Sequence, residues 1–145
     1  MLFLKTYKNI NSKIRNKLID KVKTTHDPNE SGISSLISAL GDFRDHVIVL
    51  FNNKKILGAV SYYLSKKNYI VIDHIGVVEQ HQGYGSILMK AVFKIADKLN
   101  RYPVSLTTNG YSNDFYEKMG MKRVNNKMPA VYELKKEDVI CTCTF

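Results

Sequence analysis

The chain has 145 residues, 44% hydrophobic and 24% charged, proportions that fit an ordinary globular domain and exclude a disordered or fibrous one. Its 22 Lys and Arg against 13 Asp and Glu leave a net charge of +9, which suits an anionic ligand or partner, yet no basic block marks a dedicated nucleic-acid reader. No apolar run nears the roughly 20 residues that span a bilayer, and "MLFLKTYKNINSKIRNKL" puts its lysines after a short apolar scrap, unlike a secretory signal, so a cytoplasmic protein without membrane contact is expected.

Ile14, Leu18, Ile19 and Val22 recur at helical spacing and predict an amphipathic helix over residues 11–24. Pro28 and the turn residues of "THDPNESG" end it, and "ISSLISAL", stopped by Gly41, predicts a second, shorter helix. The β-branched run "HVIVLF", the turn "NNKK" and "ILGAVSYYL" predict a hairpin. "YIVIDHIGV" is apolar almost throughout and predicts a central strand. From Gly85 to Asn100 the period turns helical, with Ile87, Leu88, Ala91, Val92, Ile95, Ala96 and Leu99 on one stripe. Pro103 opens the strand "VSLTT", and "SNDFYEKMG" predicts a short helix with Ser112 or Asn113 as N-cap and Gly120 as its stop. "MKRVN" and "AVYELKK" predict a closing hairpin.

The order α-α-β-β-β-α-β-α-β-β describes one domain over residues 1–145 in the α/β class: a mixed antiparallel and parallel sheet with one parallel crossover and flanking helices. Cys141 and Cys143, two residues apart on extended chain, have Cα atoms roughly 6.5–7 Å apart, at the limit of disulfide reach. Two thiols do not complete a zinc site and the four histidines are scattered, so reduced thiols and no metal are expected.

The stretch "VVEQHQGYGSILMK" carries two closely spaced glycines between a strand and a helix. Leu88 stands where a third Rossmann glycine would be, and the spacing is not that of a P-loop. Gly83 and Gly85 free the backbone to turn sharply and present N–H groups, and the helix after them adds its positive end. A phosphate site and a ligand-free turn both fit these residues.

Gln80, Gly83 and Gly85 follow a strand ending in Ile75-Gly76-Val77, and "FYEKMGM" (Phe115 to Met121) comes about thirty residues later. Together these resemble the GNAT superfamily of N-acetyltransferases. Its cofactor signature is Arg/Gln-x-x-Gly-x-Gly/Ala after the fourth strand, and its late helix reads Phe/Leu-Tyr-Glu-Lys-x-Gly-Phe, with Met121 here in place of the last Phe. Asn109, seven residues before Tyr116, stands where many members carry an asparagine. The resemblance covers residues 45–135; the first 40 match only in being helical.

The resemblance implies the acyl-CoA N-acyltransferase fold and acetyl-CoA as cosubstrate. It implies a pyrophosphate resting on backbone N–H groups from Gln82 through Gly83, Tyr84 and Gly85 to Ser86, with Gln80 and Asn109 among the cofactor contacts. It also implies a pantetheine arm paired with the strand edge at Ile75, Gly76 and Val77, the Val77 N–H donating to the thioester carbonyl and its oxyanion. Attack needs a neutral amine, and one with a pKa of about 10.4 is only about 0.04% neutral at pH 7. Asp73, on the face of Ile75 and Val77, is the expected base, or else a group that orients the acceptor; strand alternation sends His74 to the opposite face. Tyr116 corresponds to the general acid facing the CoA sulfur, or to a hydrogen-bond donor to the thiolate.

The acceptor stays open between a small-molecule amine and a protein or peptide amine, with aminoacyl-tRNA as the alternative that the +9 charge favours. A non-catalytic acyl-CoA-binding module is the competing class. The resemblance leaves a homodimer open as well.

Overall fold

The computed structural model describes residues 1–42, 46–110 and 112–138, so the expectation for Cys141 and Cys143 lies outside the described residues. The elements are β1 (Leu2–Lys8), α1 (Ser12–Thr25), α2 (Ile33–Gly41), β2 (His46–Asn52), β3 (Lys55–Leu64), β4 (Ile70–Val77), α3 (Tyr84–Leu99), β5 (Val104–Thr108), α4 (Asn113–Lys118), β6 (Lys122–Arg123) and β7 (Ala130–Leu134). The strands hydrogen-bond in the order β1-β2-β3-β4-β5-β7-β6, which puts β4 at the centre as its apolar run predicts. β4 and β5 are parallel and joined through α3, whereas β1–β2, β2–β3, β5–β7 and β6–β7 are antiparallel. No helix among the described residues is long and apolar enough to cross a membrane.

The first element corrects the sequence reading, which began with a helix. β1 pairs with β2 from Leu2 opposite Asn52 to Lys8 opposite His46. Every position of β1 except Tyr7 is exposed. An edge strand with so little buried surface has no two-residue apolar alternation to betray it. Backbone pairing holds it, helped by Phe3 stacked on Phe51 with ring centroids 5.0 Å apart.

Two compact units divide the chain. The first comprises Met1–Tyr63 and Asp73–Ala91. Val47 to Phe51 of β2 and Ile56 to Tyr62 of β3 are buried without interruption, as expected of strands covered on both faces. α1 starts where the Asn11 side chain accepts the Ile14 N–H at 2.9 Å, a standard N-cap bond. Two glycines allow the start of α2 to lie directly on β4. A Cβ on Gly76 would overlap the backbone of Ser35 and Leu36, and one on Gly32 would overlap the Val77 carbonyl.

The second unit comprises Leu64–Ile72 and the chain from Val92 onward. Its core includes Val92, Ala96, Val104, Leu106, Met119, Met121, Ala130, Tyr132 and Leu134. Asp138, also buried, accepts from Lys122 Nζ at 3.0 Å and from the Lys135 N–H at 3.1 Å. The Lys122 hydrogen bond, against the cost of burial, holds its carboxyl below the usual carboxylate range.

Helix α3 is amphipathic as expected, but its buried stripe is rotated. Leu88, Met89, Val92, Phe93 and Ala96 are buried, while Leu99 is 47% exposed. Methionine and phenylalanine take positions that the sequence reading had left off the stripe.

Candidate active site

The turn between β4 and α3 gathers most of the residues expected to hold a cofactor. Gln80, His81, Gln82 and Gly83 are exposed, and Tyr84, Gly85 and Ser86 are half-buried in the first turn of α3. His81 and Gly83 both take left-handed backbone, at φ 63° and 79°. A Cβ on Gly83 would meet nothing within 4 Å, so its backbone conformation, not crowding, calls for glycine there. Ile87 N–H donates to Gly83 O at 3.1 Å, closing the first helical ring. The N–H groups of Tyr84, Gly85 and Ser86 thus sit ahead of that ring at the positive end of a 16-residue helix, the arrangement that favours an anion.

Backbone donors alternate sides along a strand, so residues an even number apart direct their N–H groups the same way. β4 breaks this rule. Ile70 N–H donates to Pro103 O, just before β5, at 3.2 Å, whereas His74 N–H, four residues on, donates to the Ser61 hydroxyl of β3 at 3.1 Å. The strand therefore slips phase by one residue, and two consecutive exposed residues, Asp73 and His74, mark the place. After the slip, Ile75 and Val77 direct their N–H groups away from β3, a strand edge suited to an amide-bearing arm.

The slip also overturns the expected placement of His74. Its Nε2 lies 4.0 Å from Asp73 Oδ2, so the two side chains converge instead of taking opposite faces. His74 N–H donates to the Ser61 hydroxyl of β3 at 3.1 Å, and that hydroxyl donates to Asp42 Oδ2 at 2.8 Å. Ser61 is wholly buried. Side-chain polar atoms of Asp42, Asp73 and His74 all lie within 4.8 Å of one another. The sequence reading passed over Ser61 and Asp42, which no local pattern links to β4.

In the second unit, α4 carries Tyr116, 7% exposed. Burial pushes its phenol above the ordinary tyrosine range, so it is a neutral hydroxyl at physiological pH. Its ring lies 5.3 Å from Phe115 and 6.0 Å from Tyr132, centroid to centroid. The Tyr132 hydroxyl donates to Glu117 Oε1 at 2.8 Å. Asn109 is exposed in the loop after β5. Asn113, read from the sequence only as a cap, has a buried Oδ1 without a hydrogen-bond partner among the described residues. Ser112 is the N-cap, without a side-chain cap bond.

Within the first unit, the glycine turn at a helix start suits a phosphate and the strand edge beside it suits amides, the two kinds of group an acyl-CoA carries. The model of the Acetyltransferase (GNAT) family matches residues 15–121. No curated protein sequence matches the chain. Among solved structures, the catalytic domain of the Tetrahymena GCN5 histone acetyltransferase in complex with coenzyme A is similar at TM-score 0.65 and 16% identity, over 93% of each chain. The PaiA N-acetyltransferase from Thermoplasma acidophilum, also with coenzyme A, is similar at TM-score 0.63 and 12% identity, over 93% of this chain and 99% of that one. Arabidopsis thaliana Naa50, in complex with the bisubstrate analogue CoA-Ac-MVNAL, is similar at TM-score 0.56 and 19% identity, over 93% of this chain and 97% of that one. At such identities the likeness establishes the fold.

Proposed function

Because the chain belongs to the GNAT acetyltransferase family, we propose that it moves the acetyl group of acetyl-CoA directly onto a primary amine. The observation that carries this reading is the β4–α3 turn, where the left-handed Gly83 opens bare backbone in front of the first N–H groups of α3. Gln80, Gln82, Gly83, Tyr84, Gly85 and Ser86 hold the pyrophosphate there, chiefly through backbone donors, with Asn109 contributing from the loop after β5. Ile75, Gly76 and Val77 extend the sheet to the pantetheine arm, and Val77 N–H donates to the carbonyl oxygen that becomes the oxyanion. Asp73 serves the incoming amine. Tyr116, neutral through burial, donates to the departing sulfur.

The thioester supplies the activated acetyl group, and the chain positions it, steadies the developing charge and moves protons. Protein or peptide amines lead as acceptors, since the similar structures include a histone acetyltransferase and a complex with a bisubstrate analogue that carries a peptide sequence. A small-molecule amine fits the same chemistry. The net charge of +9 supports aminoacyl-tRNA as a second reading.

The test is acetyl-CoA binding by calorimetry with thiol release across an amine panel that includes aminoacyl-tRNA. Binding and amine-dependent thiol release are expected. Binding without release from any amine would point to the non-catalytic module, and absence of both would end the enzyme reading.

A further inference from the structure

We propose that the open edge of β1, with the end of α1 and the β2–β3 turn, is a contact surface for an anionic lipid bilayer, a role beyond acetyl transfer and independent of it. All of its residues belong to the first unit. Leu2, Phe3 and Leu4 follow one another on this outermost strand and are 45%, 45% and 40% exposed. Lysines gather at the same end of the sheet. Leu2 pairs with Asn52, beside the turn that carries Lys54 and leads into Lys55. Lys21 Nζ lies 5.9 Å from the centre of the Phe51 ring, on which Phe3 stacks. His26, the C-cap of α1, donates from Nε2 to Ile56 O at 2.6 Å, which holds the last turn of the helix, with Lys23, at the start of β3.

This charge is not neutralised within the unit. Residues 1–25 hold six lysines and a single acidic side chain, Asp20. Among the described residues, no carboxylate pairs with Lys21, Lys23, Lys54 or Lys55. Beyond α1, Glu30 faces His26 Nδ1 at 3.2 Å and Asp27 accepts the Asn29 N–H at 2.9 Å. A nucleic acid would offer phosphates to the lysines but leave Leu2 and Leu4 in water. A second copy would cover the apolar edge but set one group of lysines against another. An anionic bilayer takes both, with lysines at the headgroups and the apolar side chains at the acyl boundary. The unpaired backbone groups on the open edge of β1 keep the strand at that polar boundary, because hydrocarbon would leave them unsatisfied. Such attachment needs neither a spanning helix nor a leader, the two features on which the expectation of no membrane contact rested.

The experiment sediments the full chain with phosphatidylcholine vesicles, with and without phosphatidylserine, at low and high salt. Binding is expected only with phosphatidylserine, and is expected to weaken as salt rises. Lys54→Gln with Lys55→Gln should weaken it by roughly 25-fold, about fivefold for each lysine. Lys66→Gln with Lys67→Gln, exposed lysines in a turn of the second unit, should change it by about twofold or less. The chain has no tryptophan, so Leu2→Trp reports on the edge alone, and its emission should shift to the blue on binding. Every variant should bind acetyl-CoA as the wild type does. Absence of binding to phosphatidylserine vesicles overturns the proposal and leaves the acetyl-transfer reading standing. Equal losses in the two lysine pairs overturn it too, since net charge and not this surface would then be at work. An unshifted tryptophan in vesicle-bound protein overturns the apolar contact. A single-stranded RNA that binds through Lys54 and Lys55 where vesicles do not would make the partner a nucleic acid.

Discussion

The Tyr132 hydroxyl donates to the Glu117 carboxylate at 2.8 Å, fastening β7 to α4 one residue beyond Tyr116. The rings of Tyr116 and Tyr132 lie 6.0 Å apart, so the same contact fixes the buried face of the phenol proposed to serve the leaving group. Tyr132→Phe keeps the ring and loses the bond. The variant should melt about 2–4 °C lower and turn over more slowly, with acetyl-CoA affinity little changed. Calorimetry and steady-state kinetics check the pair of effects.

Tyr116→Phe should lower turnover by about tenfold or more, with little change in acetyl-CoA affinity. The sign of the pH effect follows from burial, which favours the neutral phenol and raises its pKa. The hydroxyl therefore keeps its proton through the neutral range, and any loss of activity from its ionisation falls above about pH 10. A pH–rate profile checks this: an alkaline limb below that value belongs to another group.

Two glycines of the site should respond differently to alanine. Gly83 has a left-handed backbone and open space around its missing Cβ, so Gly83→Ala should cost about 1–2 kcal/mol of stability. Its larger effect should be weaker acetyl-CoA binding, because the added methyl group enters the turn proposed for the phosphates. Gly76→Ala drives a Cβ into the backbone of Ser35 and Leu36 and should destabilise by about 3 kcal/mol or more. Urea denaturation and cofactor titration separate the two.

Asp138 gives a stability prediction with a definite sign. Its carboxyl is held below the ordinary value of 3.8, chiefly by Lys122, so its contribution is present above that pH. The contribution is lost as pH falls through the lowered value. Asp138→Asn should therefore be less stable than wild type at pH 7, with the difference shrinking as pH drops below about 4. Denaturation midpoints across that range check it.

What was legible in the sequence depended on how much surface each element buries. β2 and β3 bury every residue of their cores and announce themselves as unbroken apolar runs. β1 buries almost nothing and leaves no pattern, although its backbone pairs along its full length. On α3 the apolar period was plain, but Met89 and Phe93 line its buried face and Leu99 does not, a choice made by the neighbours the helix packs against. At the site, the Gly83 turn and Tyr116 were readable from local motifs. The convergence of Asp73 and His74 was not, because the hydrogen bond that accompanies the slip of β4 runs from the His74 N–H to the hydroxyl of Ser61, thirteen residues away in the chain.

The central claim is that the acetyl group of acetyl-CoA ends on an amine nitrogen. Mass spectrometry after incubation with isotopically labelled acetyl-CoA and the amine panel tests it directly. The account predicts a labelled amide on at least one amine, formed with the wild type and strongly reduced with Tyr116→Phe. Label recovered only as free acetate or as unchanged acetyl-CoA, with every amine unmodified, would contradict it.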